Sequence, residues 1–153
     1  PCCIELSKKH PLVYISAGPR LYVWDYKSEA DVKLRQLSVA GQRVDPAPSR
    51  SHLEFEQFGS PITAIKELNS TNLLSAWFAP MECKDMFRYV LVATEDAVHS
   101  RLIDRDQATK RIRIESTQLG ALAQPDVKVL FEFEKTGRVF YGRVDGRITE
   151  LLF

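Results

Sequence analysis

The chain has 153 residues, a hydrophobic content of 44% and a formal net charge of +1, the size and balance of an ordinary globular domain, with nothing in the charge that points to a polyanion partner. No run approaches the ~18 apolar residues of a membrane span, and no charged start followed by an apolar core marks a secretory signal. Three cysteines, with Cys2 and Cys3 adjacent and Cys83 far away, do not make a disulfide framework, which predicts a cytosolic or nuclear setting. Its opening on Pro1 and its apolar finish, Leu151-Leu152-Phe153, are what a piece of a longer protein is expected to show, since an unpaired hydrophobic strand invites association.

Residues 4 to 10, closing on Lys8-Lys9-His10 ahead of Pro11, read as a solvated lead-in. The first hairpin, near 13–26, runs from Val13 to Ser16, turns through Ala17 to Arg20 and returns from Leu21 to Tyr26. On the returning strand Tyr22, Trp24 and Tyr26 share one face while Leu21 and Val23 share the other. With both faces apolar, that strand is predicted to lie between two layers. Its Trp24-Asp25 pair matches the dipeptide that ends the third strand of many propeller blades. From Lys27 the character changes. Alternation between Ala30 and Val39 predicts one edge strand, and residues 40–52, with Pro46, Pro48, Ser49 and Ser51, read as an exposed loop or insertion.

Strand signals resume at Leu53 to Glu56 and, after the Phe58-to-Pro61 turn, at Ile62 to Leu68. Between Asn69 and Phe87 an apolar cluster, Leu73, Leu74, Trp77 and Phe78, follows a run of turn formers. Two readings stand side by side: a contact surface for a partner or a membrane, or a loop folded back on its own sheet. A second hairpin, near 89–103, takes Tyr89 to Ala93 through Thr94-to-Ala97 into Val98 to Ile103. Five basic residues lie between Arg101 and Arg113. Asp104, Asp106 and Glu115 dilute their charge and no aromatic platform is interleaved, so they read as a solvated strand face and no nucleic acid is expected as a partner. Thr117 to Asp126 reads as turn. Val127, Val129, Phe131 and Phe133 then oppose Lys128, Glu132 and Glu134, and the third hairpin, near 139–153, pivots on Asp145-Gly146, the dipeptide that best tolerates positive φ at both turn positions.

No amphipathic helix of ten or more residues emerges, and the fold class is all-β. Three hairpins of similar outline predict a repeated unit: about three blades of a β-propeller over residues 1–153, incomplete at the C-terminal end. The spacing from the second hairpin to the third matches one propeller repeat of ~40–50 residues, and the spacing from the first to the second exceeds it by roughly the 27–51 excursion. Chemistry is not indicated. His10, His52 and His99 are not spaced as metal ligands with one another or with the cysteines, and neither a nucleophile elbow nor a phosphate-binding loop occurs. His99 alternates within a strand, as a satisfied or exposed strand histidine does. The expectation is a protein that is not an enzyme and has no catalytic residues, metal, cofactor or small-molecule substrate.

In this order, Trp24-Asp25-Tyr26, Leu91-Val92-Ala93-Thr94, and Gly137 to Phe140 with Gly142, Asp145, Gly146 and Glu150-Leu151 resemble the N-terminal propeller of the large inner-ring scaffold nucleoporins, the 155/170-kilodalton class. The resemblance covers most of residues 11 to 153. It implies a seven-bladed propeller ahead of a long helical solenoid. It also implies a non-enzymatic scaffold at the nuclear pore complex and nuclear envelope, acting in pore assembly and nucleocytoplasmic transport with other scaffold nucleoporins as partners. The membrane-contact loop of that class would follow the hairpin that ends here at Phe153. The stretch 69–87 is longer and more polar than the family pattern, and the loop from Pro46 to Ser51 matches nothing in it. A related outer-ring nucleoporin, or a propeller interaction module of a vesicle coat or ligase adaptor, is the alternative.

Overall fold

The computed structural model describes residues 2–27, 53–70, 88–106, 108–109 and 111–153. Among these described residues, eleven strands form three antiparallel sheets and no closed barrel. Sheet 1 has the order β1 (Ile4–Leu6), β2 (Leu12–Ala17), β3 (Arg20–Asp25) and β4 (Leu53–Gln57). Sheet 2 follows with β5 (Ile62–Leu68), β6 (Arg88–Thr94), β7 (Val98–Arg105) and β8 (Ile112–Leu122). Sheet 3 has β9 (Val127–Phe133), β10 (Arg138–Arg143) and β11 (Ile148–Glu150). Each sheet is an up-and-down meander that ends before the next begins, the organisation of propeller blades. The predicted all-β class and incomplete propeller are what the molecule shows.

Sheet 2 lies between the other two, and the alternation along its strands explains why. In β6 the side chains of Tyr89, Leu91 and Ala93 join a core shared with Val127, Leu130, Val139, Tyr141 and Leu151 of sheet 3. Val90 and Val92, pointing the opposite way, join a core with Leu12, Tyr14, Leu21 and Val23 of sheet 1. Leu91 and both valines are fully buried. A continuous apolar run in the sequence is therefore a strand covered on both faces. The first strands of the three sheets, β1, β5 and β9, converge: β5 packs on both β1 and β9, and Lys8, just after β1, pairs with Glu134 at the end of β9. Sheets 1 and 3 thus meet along one inner edge, as blades do around a common axis.

Four expectations need correction. The predicted lead-in 4–10 contains β1, whose Ile4, Glu5 and Leu6 pair with Ile15, Tyr14 and Val13; it is too short to show a period. The strand β3 is not enclosed on both sides, because Tyr22 and Trp24 are only half-buried and Tyr26 is exposed. The stretch from Thr117 to Leu122 is strand rather than turn: the pairing of Arg101 with Ser116 gives way to that of His99 with Ala121, an irregularity that includes Gly120 at a φ of 64°. Inserted residues of this kind break the two-residue period without ending the strand. In the third hairpin Gly146 has a φ of 85°, whereas Asp145 is not among the described residues with positive φ. The Arg143 N–H bonds the Arg147 carbonyl and the Gly146 N–H the Arg143 carbonyl, a three-residue loop closed by a left-handed glycine rather than a two-residue mirror-image turn. The edge strand expected between Ala30 and Val39 and the 40–52 loop lie outside the described residues.

Candidate interaction surfaces

The polar residues between the sheets are clasps. At the seam of sheets 1 and 2, both carboxylate oxygens of Glu56 accept from the Arg101 Nε–H, at 2.9 and 2.8 Å, while the Arg101 guanidinium lies 5.0 Å from the centre of the Phe58 ring. Arg105 pairs with Asp25, and Arg111 with Glu54 at 3.9 Å. Arg101 and Arg105 are largely withdrawn from water, which corrects the predicted solvated face at those two positions, whereas Arg111 and Arg113 stay about half exposed. Arg101, Arg105 and Arg111 all reach across to acids on β3 and β4 that lie far away in sequence, and Arg113 folds back onto Asp104, Asp106 and Glu115. His99 sits in the same seam, its ring 4.8 Å from that of Phe58. Burial, followed by the Arg101 charge, holds its pKa below the ordinary histidine value.

Along the inner edge, Glu67 of β5 is buried. One of its oxygens accepts from the Ser7 hydroxyl at 3.0 Å and lies 3.1 Å from Arg88 Nε. Burial pushes its carboxyl above the usual range, although Ser7 and Arg88 oppose that shift. The phenol of Tyr14, beside it, is raised by burial and by the Glu67 charge. On the sheet 3 side the buried Glu132 accepts the backbone N–H groups of Asn69 at 2.8 Å and Ser70 at 3.3 Å. Glu67 thus ties Ser7 to sheet 2 through one oxygen while its other oxygen is buried without a hydrogen-bond partner, and Glu132 ties sheet 3 to the end of β5. Among the described residues no group of three or more His, Cys, Asp or Glu is placed to hold a metal.

Among the described residues, exposed large apolar side chains gather on the outer faces of sheets 1 and 3. Sheet 1 carries two cross-strand rungs that are apolar from edge to edge: Leu6, Val13, Trp24 and Leu53, and beside it Ile4, Ile15, Tyr22 and Phe55. Ile4, Leu6 and Phe55 are more than half exposed, and Arg20 stacks 5.5 Å from the Phe55 ring centre. Sheet 3 presents Phe131, Phe133 and Phe140, packed edge to face with centroids 4.8 and 5.5 Å apart, together with Val129 and Ile148. These side chains border an open groove of about 330 Å³. Its floor dips at Gly142, where a Cβ would come within 2.7 Å of Val129 Cγ1. A bidentate pair between Arg138 and Glu150, both contacts at 2.9 Å, fixes one side.

The sequence-predicted surface of Leu73, Leu74, Trp77 and Phe78 lies outside the described residues, as do His52 and Cys83. Cys2 is exposed and Cys3 half-buried, both as free thiols. The alternation of Val129, Phe131 and Phe133 was visible in the sequence. Its orientation was not: the structure turns Val129, Phe131 and Phe133 to water and buries Leu130 and Glu132, while Val127 stays buried across a register shift opposite Gly142 and Arg143.

No family model matches the chain, and no curated protein does. Among solved structures the chain is similar to one in the Chaetomium thermophilum Nup170 NTD–Nup53 complex, with a TM-score of 0.59 and 16% sequence identity. The match covers 99% of this chain and 21% of that one, so the chain spans about a fifth of the length of its structural neighbour. At this identity the likeness shows the fold.

Proposed function

We propose that this chain is part of the N-terminal propeller of a large nuclear pore scaffold nucleoporin and that its role is structural, not catalytic. The observation that carries the reading is the likeness to the Nup170 NTD over 99% of this chain, which agrees with the family that the order of the hairpin motifs resembles. Rigid sheets, each buried against the next, hold their rim loops and faces in fixed positions without moving parts, which is what a scaffold requires. The clasped acids and arginines support the same reading, because side chains committed to one another across a seam are not poised for proton transfer.

In this reading the sheets are blades of a seven-bladed ring at the nuclear envelope. Their partners are other scaffold nucleoporins, among them a protein of the Nup53 kind, and the membrane is contacted through a loop beyond Phe153. Protein and mRNA transport depend on them through pore assembly. The test is the location of the tagged parent protein in living cells. Enrichment at the nuclear rim and co-precipitation with a Nup53-type nucleoporin are expected; a diffuse signal without rim enrichment overturns the proposal and favours an interaction module of another assembly.

A further inference from the structure

Among the described residues four acids are buried: Asp25, Glu67, Asp104 and Glu132. Three of them are provided for as carboxylates. Asp25 pairs with Arg105. Both oxygens of Asp104 accept, one from the Arg105 backbone N–H and one from Arg113, and both oxygens of Glu132 accept the amides of Asn69 and Ser70. Glu67, the most withdrawn at 1% exposure, is served differently. The Ser7 hydroxyl donates to Oε1 at 3.0 Å, and Arg88 Nε lies 3.1 Å from the same oxygen without making a hydrogen bond. Oε2 is buried with no hydrogen-bond partner, and so is the phenol oxygen of Tyr14 on β2, beside it.

An ionised carboxylate withdrawn from water needs donors on both oxygens. Left as it is, Glu67 would rest half of its charge on an atom that no donor reaches. A carboxylic acid reverses the need, because a hydrogen on Oε2 makes that atom a donor and the Tyr14 oxygen is a vacant acceptor. We propose that Glu67 is a proton-operated latch between sheets 1 and 2: as a neutral acid it donates from Oε2 to Tyr14 Oη and closes a ring of hydrogen bonds, and on ionisation the ring opens. In the ring the Tyr14 hydroxyl donates to Ser7 Oγ, and the Ser7 hydroxyl donates back to Glu67 Oε1. Ser7 Oγ also accepts the His10 N–H at 3.2 Å, so the ring fastens the β1–β2 turn and β2 to the end of β5. When the proton leaves to solvent, the phenol hydrogen has to turn to Oε2 and Ser7 loses its tie to Tyr14. The charged neighbours divide. Arg88 of β6 and the Lys8 backbone N–H favour the ionised acid, whereas Glu5 of β1 favours the neutral one. Lys66 is taken up by Glu5 at 3.7 Å, the Lys8 ammonium by Glu134, and Glu132 of β9 by its two amides. Burial is the largest influence and holds the carboxyl above its ordinary value of 4.5.

The test compares the purified chain with Glu67→Gln by denaturant unfolding across pH. Glutamine keeps the shape, accepts from Ser7 through its oxygen and donates to Tyr14 through its amide at every pH. A group whose proton is held more tightly in the folded chain stabilises fully below its unfolded value and loses that contribution as pH rises through the folded one. The folded-to-unfolded ratio of the wild type relative to Glu67→Gln should therefore drop at least about tenfold between pH about 4.5 and about 8. His99 acts with the opposite sign in both proteins and cancels. A relative stability that is flat or rises with pH overturns the proposal and makes Glu67 an ionised partner of Arg88. Carboxyl-carbon NMR titration of the wild type needs no variant to fold. One glutamate titrating above the ordinary range is expected, with its midpoint lowered in Tyr14→Phe because the neutral acid loses its acceptor. Glutamates that all titrate at or below 4.5, or a midpoint that Tyr14→Phe leaves in place or raises, overturn the ring. These outcomes are independent of where the parent protein localises.

Discussion

The seam between sheets 1 and 2 and the seam between sheets 2 and 3 bury similar apolar cores but are held differently. The first is bordered by charge: Arg101 with Glu56, Arg105 with Asp25, Arg111 with Glu54 and Lys66 with Glu5 all cross it. The second is closed by carbon, with the carboxylate of Glu132 capping two backbone amides at its inner end. Charge pairs at a partly wet seam contribute modestly, but they fix register, because a shifted sheet would leave half-buried charges alone. Apolar contact supplies more free energy and less direction. One seam is therefore aligned by pairs, and the other is tightened by burial.

The largest expected effect follows from that second seam. Leu91 is fully buried on the sheet 3 side of β6, and Leu91→Ala should cost about 3 kcal/mol, the transfer of the side chain plus the cavity left between two rigid sheets. Denaturant unfolding should show a lower midpoint with an unchanged slope. The loss should be the same at about 0.1 and about 1 M NaCl, since apolar contact is not screened as charge is. A salt-dependent loss would mean that the seam is not held by apolar contact.

Next in size is Glu132→Ala, at about 2 kcal/mol, because the amides of Asn69 and Ser70 lose their acceptor inside the fold. Glu132→Gln keeps an acceptor oxygen and should recover most of that. Equal losses for the two variants, measured by the same unfolding assay, would show that packing and not amide capping is what Glu132 supplies.

Arg101→Ala should cost about 1–2 kcal/mol. It removes a charge-assisted contact and the cover over Phe58, and leaves Glu56 without its partner in a half-dry setting. Unlike the effect of Leu91→Ala, part of this loss should disappear in about 1 M salt, since screening already weakens the wild-type pair. A loss that does not respond to salt would assign the role of Arg101 to its stacking on Phe58 alone.

These differences also explain what could be seen in the sequence. The strands announced themselves wherever the two-residue period was clean, as from Val127 to Phe133, or wherever an apolar run was continuous, as from Tyr89 to Ala93. Stacking of sheets was expected at β3, whose Tyr22 and Trp24 are only half-buried; the strand that is covered on both faces is β6. The clasps were not legible. Arg101 and Arg105 meet Glu56 and Asp25 across 45 and 80 residues of sequence, a distance at which no local pattern couples an acid to a base, so the arginines looked like an ordinary wet face. β1 escaped because its pairing with β2 is decided by the neighbour rather than by its own three residues. Each outer face was readable as a row of apolar side chains, but its orientation depends on which sheet comes next.

The smallest effect belongs to the pH dependence of the charged seam. His99 is held neutral by burial and by the Arg101 charge beside it, so its folded pKa lies below the unfolded value of about 6.5. Below that value the unfolded chain binds a proton that the folded chain resists, and stability falls as pH drops from about 7 toward 5. The ring is only partly buried, which keeps the change well under about 1 kcal/mol after solvent screening. His99→Gln should flatten this slope while retaining a polar side chain near Thr94, whose hydroxyl lies 3.4 Å from the imidazole. Removing Arg101 as well should add little further flattening, because the charge acts on pH dependence through the histidine. An unchanged slope in His99→Gln would show that the imidazole does not carry the acid sensitivity of this seam.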